Sequence, residues 1–255
     1  MTAFLNWFDN IIWGLPLIIF LLSTGIYLSV RLNFIQFRLL HKALHFVFHK
    51  EKDAAGEISG FAALCTALSA TIGTGNMVGV ATAICQGGPG ALFWMVIAAL
   101  FGMATKYSEA LLAVKYRVIA DDGHVLGGPF YYIENGMGKN WKWLGKVFAL
   151  FGMCVGLFGI GTFTQVNSIT SAVSSFFDPT LSHTILIMGS NISIVVLIAG
   201  IILTILVAAV LIGDLHRIAH VAEVLVPFMT IAYITVCLVF LLFNIVEIPH
   251  AFVLI

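Results

Sequence analysis

Long apolar runs alternate with short polar connections along this chain, at about 9–30, 58–85, 90–113, 143–177, 184–213 and 218–245. Each run reaches the roughly 20 residues that an α-helix needs to cross a bilayer core. The pattern therefore predicts six spans and an all-α membrane protein. No basic residue precedes the first run and no small-residue cleavage pattern follows it, so it is expected to be kept as a span and not removed as a signal peptide. Composition agrees: 60% of the 255 residues are hydrophobic and 9% charged, unlike a soluble domain.

The second run departs from the others at its middle, which reads Ser69-Ala70-Thr71-Ile72-Gly73-Thr74-Gly75-Asn76. A spanning segment has to satisfy its backbone amides and carbonyls internally. Broken helix at membrane depth persists only where it is packed in protein or lines a cavity. Gly73 and Gly75 permit unwinding. An unwound stretch offers free amides at one half-helix N-terminus and free carbonyls at the other half's C-terminus, suited to a carboxylate and a small cation. The alternative is an unbroken helix whose small residues allow close packing, as in Gly-x-x-x-Gly pairs.

Net charge is zero, but the twelve Lys and Arg residues are not spread evenly. Arg31, Arg38, Lys42, Lys50 and Lys52 follow the first run. Lys106, Lys115, Arg117, Lys139, Lys142 and Lys146 flank the third connection, and Arg217 lies in the fifth. With six spans all of these fall on one side, which the positive-inside rule makes cytoplasmic and which puts the N-terminus outside. The expected setting is a multi-pass protein of the cell inner membrane, with membrane lipid and no nucleic acid among its partners. Cys65, Cys85, Cys154 and Cys237 lie within the apolar runs without Cys-x-x-Cys spacing, and are expected to be buried thiols and neither disulfides nor zinc ligands.

Segment 32–57 is less apolar than the spans. Arg38, His41, Lys42, His45 and His49 are interleaved with Phe34, Phe37, Leu40, Leu44 and Val47, as expected of a helix lying in the headgroup plane. The three histidines recur every four residues, yet no carboxylate or cysteine completes a metal set, so a solvated helix face is favoured. Lys106 and Glu109 stand at i, i+3 and are expected to pair. The loop 121–142, with Gly127-Gly128-Pro129 and Tyr131-Tyr132, is expected to pack as a short inner element.

As one helix, the run 143–177 would be about 50 Å long against a core of about 30 Å, so strong tilt or projection is expected. Gly152, Gly156, Gly159 and Gly161 are read as close-packing positions. Beyond them Gln165 and Asn167 carry amide groups that are costly in hydrocarbon and should face protein or a wet cavity. Glu223, six residues after Arg217, is expected to play a structural part near the cytoplasmic face.

Ser59-Gly60-Phe61-Ala62-Ala63-Leu64-Cys65-Thr66-Ala67-Leu68, leading into Ala70-Thr71-Ile72-Gly73-Thr74-Gly75-Asn76-Met77-Val78-Gly79-Val80-Ala81-Thr82, closely resembles the alanine or glycine:cation symporter family. Gly87-Gly88-Pro89-Gly90-Ala91, Phe101-Gly102-Met103-Ala104-Thr105-Lys106-Tyr107-Ser108-Glu109-Ala110, Lys115-Tyr116-Arg117, Gly127-Gly128-Pro129-Phe130-Tyr131-Tyr132-Ile133-Glu134 and the segment 165–169 follow in the family's order.

The resemblance implies a secondary transporter, not an enzyme, with no cofactor and with Na⁺, or alternatively H⁺, as coupling ion for alanine or glycine. It also implies a leucine-transporter-like fold of two inverted five-helix repeats with the site between two broken helices. Thr71, Gly73, Thr74, Gly75, Asn76 and Gln165 would then bind substrate. Oxygens of Ala70 and Thr71 would serve Na⁺.

Family members continue for about as much chain again. The expected organisation is thus an extra first helix (1–31), the interfacial segment (32–57) and one repeat (58–255), with the second repeat absent and needed to complete the site. Two other functions stay open from the residues alone: a pore lined by Thr71, Asn76, Gln165 and Asn167, or a truncated fragment that does not transport. A membrane-embedded enzyme using His41, His45 and His49 fares worst, because no nucleophile or metal set converges inside the membrane.

Overall fold

The computed structural model describes residues 2–49, 58–121, 123–159, 161–180, 184–187 and 190–255. Lys50, Lys52, the rest of the loop to residue 57 and His183 lie outside the described residues. Among those described, five helical stretches are long and apolar enough to cross a membrane, and a bent helix pair makes a sixth. The chain is an all-α membrane protein apart from two short hairpins. It divides into two compact units, each built from separate segments.

The first unit comprises residues 1–51, 86–151 and 253–255. Helices α1 (Thr2–Ile12) and α2 (Leu15–Arg31) make the first span, with Pro16 entering α2 in its first turn, where no amide bond is lost. A left-handed turn at Asn33 and Phe34 leads to α3 (Ile35–Arg38) and α4 (Leu40–Phe48). Buried Gln36 ties α3 back by donating from Nε2 to Ser29 Oγ at 3.1 Å.

Helix α7 (Gly90–Lys115) packs along α2, and the approach is close because Gly25 has no side chain. A Cβ there would stand 2.9 Å from Phe101 Cβ and 3.0 Å from its carbonyl oxygen. Gly25→Ala is therefore expected to overpack the pair at a cost of about 1–3 kcal/mol. A thermal melt in detergent checks this, and an unchanged midpoint would contradict it.

The loop 121–142 holds a short packed element, as expected. Strands β1 (Val118–Ile119) and β2 (Val125–Leu126) form a hairpin, and α8 (Pro129–Met137) packs against α7. Lys106 and Glu109 pair as expected, at 3.0 Å. An unanticipated bridge joins Glu134 of α8 to Lys142, where α9 (Lys142–Leu157) begins. Burial pushes the Tyr132 phenol up from its ordinary value, and the Glu109 carboxylate adds to the shift while Lys106 opposes it.

The second unit comprises residues 52–85 and 152–252. Its first span is the bent pair: α5 (Gly60–Thr71), a 3₁₀ turn (Thr74–Asn76) and α6 (Val78–Gly87). Ser59 starts α5 as an N-cap, its Oγ accepting from Ala62 N at 3.1 Å. Helix α12 (Asp214–Phe243) lies along α5, where Cys65, Ala222 and Val226 form a small core bordered by Phe61, Leu68 and Ile72. Glu223, next to Ala222 in α12, is half-buried. Helix α13 (Ile248–Leu254) follows α12.

Three expectations need correction. The run 143–177 is not one tilted helix. It stops at Leu157 and restarts as α10 (Thr162–Phe177), with Gly159 and Gly161 at φ 59° and 91° between them. Those two glycines adopt a left-handed backbone that other residues resist, so they end a helix and do not merely pack.

The run 184–213 opens as a hairpin, β3 (Thr184–Ile187) with β4 (Ser190–Ser193), and is helical only from α11 (Ile194–Leu211). Ser193 caps α11 by accepting from Val195 N. All four cysteines are free thiols, but only Cys65 is buried; Cys85 is exposed and the other two are half-buried.

Candidate functional site

The site expected from sequence lies wholly in the second unit, at the break between α5 and α6. The helical ladder of α5 ends where Ile72 N donates to Leu68 O at 2.6 Å. Ile72 and Gly73 then run extended, and the 3₁₀ turn closes through Asn76 N to Gly73 O (3.0 Å) and Met77 N to Thr74 O (3.2 Å). The two helical halves meet at 66°. An unbroken close-packed helix is thereby excluded.

The break leaves both kinds of backbone group without partners. Among the described residues, none accepts a hydrogen bond from the amides of Gly73, Thr74 or Gly75, and none donates to the carbonyls of Ser69 or Ala70. Thr74 and Gly75 open the 3₁₀ turn with free amides, and a helical start with free amides favours an anion through the positive end of its peptide dipoles. The carbonyl end of α5 has the opposite polarity. A carboxylate and a small hard cation thus find complementary groups within a few residues of one another.

Side chains shape the two ends. Thr71 Oγ1 donates to Ala67 O at 2.9 Å, which leaves its lone pairs available to a cation. Asn76 reaches back across the break, Nδ2 donating to Thr71 O at 3.2 Å. One of the orphan carbonyls of α5 is thereby capped by a residue from the far side of the turn. That role was not anticipated from sequence; the readable signal is an amide side chain five residues past a helix end.

Gln165 is brought to the break by α10, which packs against the 3₁₀ turn. Its amide stands over Gly73, so that a Cβ on Gly73 would meet Nε2 at 3.4 Å and Oε1 at 3.5 Å. Beside Gly75 the space is open, with no atom within 4 Å of where its Cβ would be.

Of the expected residues, Gly73, Asn76, Thr71 and Gln165 converge, while Thr74 and Gly75 contribute backbone. Asn167 does not join them. It lines a groove of about 590 Å³ between α10 and α11 with Phe163, Thr170 and Thr204. In the other unit, His45 and His49 stack at 4.0 Å between ring centroids on α4, and His49 Nδ1 lies 3.1 Å from the His45 carbonyl oxygen.

Residues 1–255 match the sodium:alanine symporter family throughout. An uncharacterized transporter of Haemophilus influenzae is 53% identical over all of this chain and 52% of its own length. The sodium/alanine symporter AgcS of Methanococcus maripaludis is 45% identical over 98% of this chain and 53% of its own. A probable sodium/glutamine symporter, GlnT of Bacillus subtilis, is 37% identical over 97% of this chain and 48% of its own. The chain spans about half the length of the curated relatives it matches. Matched from its first residue to its last, with a broken span where the family motif falls, the chain belongs to the sodium:alanine symporter family, whose members are carriers and not enzymes.

Proposed function

We propose that this chain forms the N-terminal half of a secondary active transporter that couples Na⁺, or H⁺, to the uptake of alanine or glycine by alternating access. The observation that carries this reading is the row of unpartnered amides at Gly73, Thr74 and Gly75, with the Gln165 amide standing over it. The substrate carboxylate would take the amides, and Asn76 and Gln165 would flank it. The coupling Na⁺ would take the Ala70 carbonyl and Thr71 oxygens, uncharged hard donors of the kind such an ion accepts.

In this reading residues 58–255 are one five-helix repeat, the preceding helix is an addition, and the partner half of the site comes from a second repeat. Twelve cations on one side of six spans support an external N-terminus.

Reconstituted uptake of labelled alanine and glycine by the completed protein tests the coupling. An imposed inward Na⁺ or H⁺ gradient is expected to drive accumulation above equilibrium. Equal uptake with and without both gradients would remove the coupling, and uptake that never saturates with substrate would replace the carrier by a pore.

A further inference from the structure

Glycine permits the break in the second unit but does not fix where it stands. Ile72 runs at φ −83° and ψ 106°, and Gly73 at φ −149° and ψ −167°, extended backbone that any residue adopts. Packing must set the position. Ile72 is the last residue whose amide bonds back into α5, at 2.6 Å to Leu68 O, and the first to leave the helix. Its half-buried side chain packs against the core of Cys65, Ala222 and Val226, where Val226 of α12 is 1% exposed.

The next residue meets α10. A Cβ on Gly73 would stand 3.4 Å from Gln165 Nε2, and the amides of residues 73–75 begin there. One peptide unit therefore separates the seat on α12 from the amide carried by α10. A shift at Ile72 reaches the site amides almost undiminished. The branch at its Cβ leaves Ile72 few rotamers, which gives the seat a single shape.

We propose that Ile72 is the positioning residue of this site: seated on α12, it holds the end of α5 where the amides of residues 73–75 and the Gln165 amide face one substrate carboxylate. It acts through the backbone and touches no substrate. The inference rests on the transport reading and names what places the site. Leu68, one turn earlier, borders the same core but is followed by regular helix to Thr71, so its truncation removes packing without freeing the residue that precedes the site.

In the completed transporter, Ile72→Ala is expected to raise the half-saturating alanine concentration about tenfold, because small misplacements of binding groups are costly. The maximal rate per inserted carrier should change by less than about twofold, as expected when binding and not turnover is affected. Leu68→Ala should lose as much thermal stability in detergent yet keep half-saturation within about twofold of the parent. Ile72→Val keeps the branch and should restore the parental value. Ile72→Met, of similar bulk without the branch, is expected to raise it about threefold and carries the test should the alanine variant fail to insert. Equal rises in Ile72→Ala and Leu68→Ala, or parental half-saturation in both Ile72→Ala and Ile72→Met, would reduce Ile72 to a packing residue.

Hydrogen exchange of the same proteins reads the seat without transport. The amide at position 72 is expected to exchange about fivefold faster in Ile72→Ala than in the parent, the effect of weakening one hydrogen bond, and near the parental rate in Leu68→Ala. Equal exchange in all three would overturn the seat. A parent without saturable uptake would remove the transport reading, and the exchange rates would still decide whether Ile72 holds the end of α5.

Discussion

Replacing Gly75 by leucine is expected to bring amino-acid uptake by the completed transporter down to background while leaving membrane insertion and thermal stability at parental values. The two halves of that expectation have one cause. A Cβ at Gly75 meets no atom within 4 Å, so the fold has room for the added side chain. Yet that room lies beside the unpartnered amides, where a carboxylate would be held, and a branched four-carbon side chain fills it. Loss of stability together with loss of uptake would mean that Gly75 is a packing position. Retained uptake would mean that the substrate binds elsewhere.

The second large effect is expected at Asn76. Its Nδ2 caps the Thr71 carbonyl across the break, so Asn76→Ala removes both a proposed substrate contact and a bond that holds the two half-helices in register. The bond is exposed in this half of the protein; once a second repeat covers the site, losing a partner for a polar group there costs about 1–3 kcal/mol, or roughly 5- to 150-fold in affinity. The half-saturating alanine concentration should rise by a factor in that range.

Gly73→Ala provides the contrast. Its methyl would just reach contact with Gln165 Nε2, at 3.4 Å, on a backbone that is extended and open to any residue. A rise of less than about fivefold is expected for it. Saturation curves for uptake by the three proteins check the order, and an unchanged value in Asn76→Ala would contradict it.

The break itself was legible because bilayer physics makes it so. Gly73, Gly75 and their hydroxyl neighbours are poor fillers for a continuous span, and the motif around them is dense enough to identify a family. Gln165 was legible for the related reason that an amide side chain at membrane depth must face something polar.

Asn167, two residues on, obeys the same rule and yet lies in a different groove, because residues two apart on a helix point away from each other. Sequence could state the cost of each amide but not which face α10 turns toward the break.

The division of the run 143–177 was missed because hydropathy measures how apolar a segment is and not its backbone direction. Gly159 and Gly161 carry the information, but a glycine looks the same in sequence whether it serves close packing or a positive φ. The hairpin at 184–193 hid for a different reason. Ile185, Leu186 and Ile187 are as apolar as the helix that follows, and only Ser193, an N-cap ahead of a long apolar run, marked the true helix start.

The bond from Asn76 to Thr71 lay furthest from reach, since it depends on how sharply the chain turns once the helix has ended.

The most direct measurement is a density map of the completed transporter with alanine and Na⁺ present. The expected result is a helix that stops at Thr71, with ligand density within hydrogen-bonding distance of the Gly73, Thr74 and Gly75 amides and Gln165 beside it. Continuous α-helix from Gly60 through Gly87, with the ligand seated away from those residues, would contradict the proposed site and the mechanism built on it.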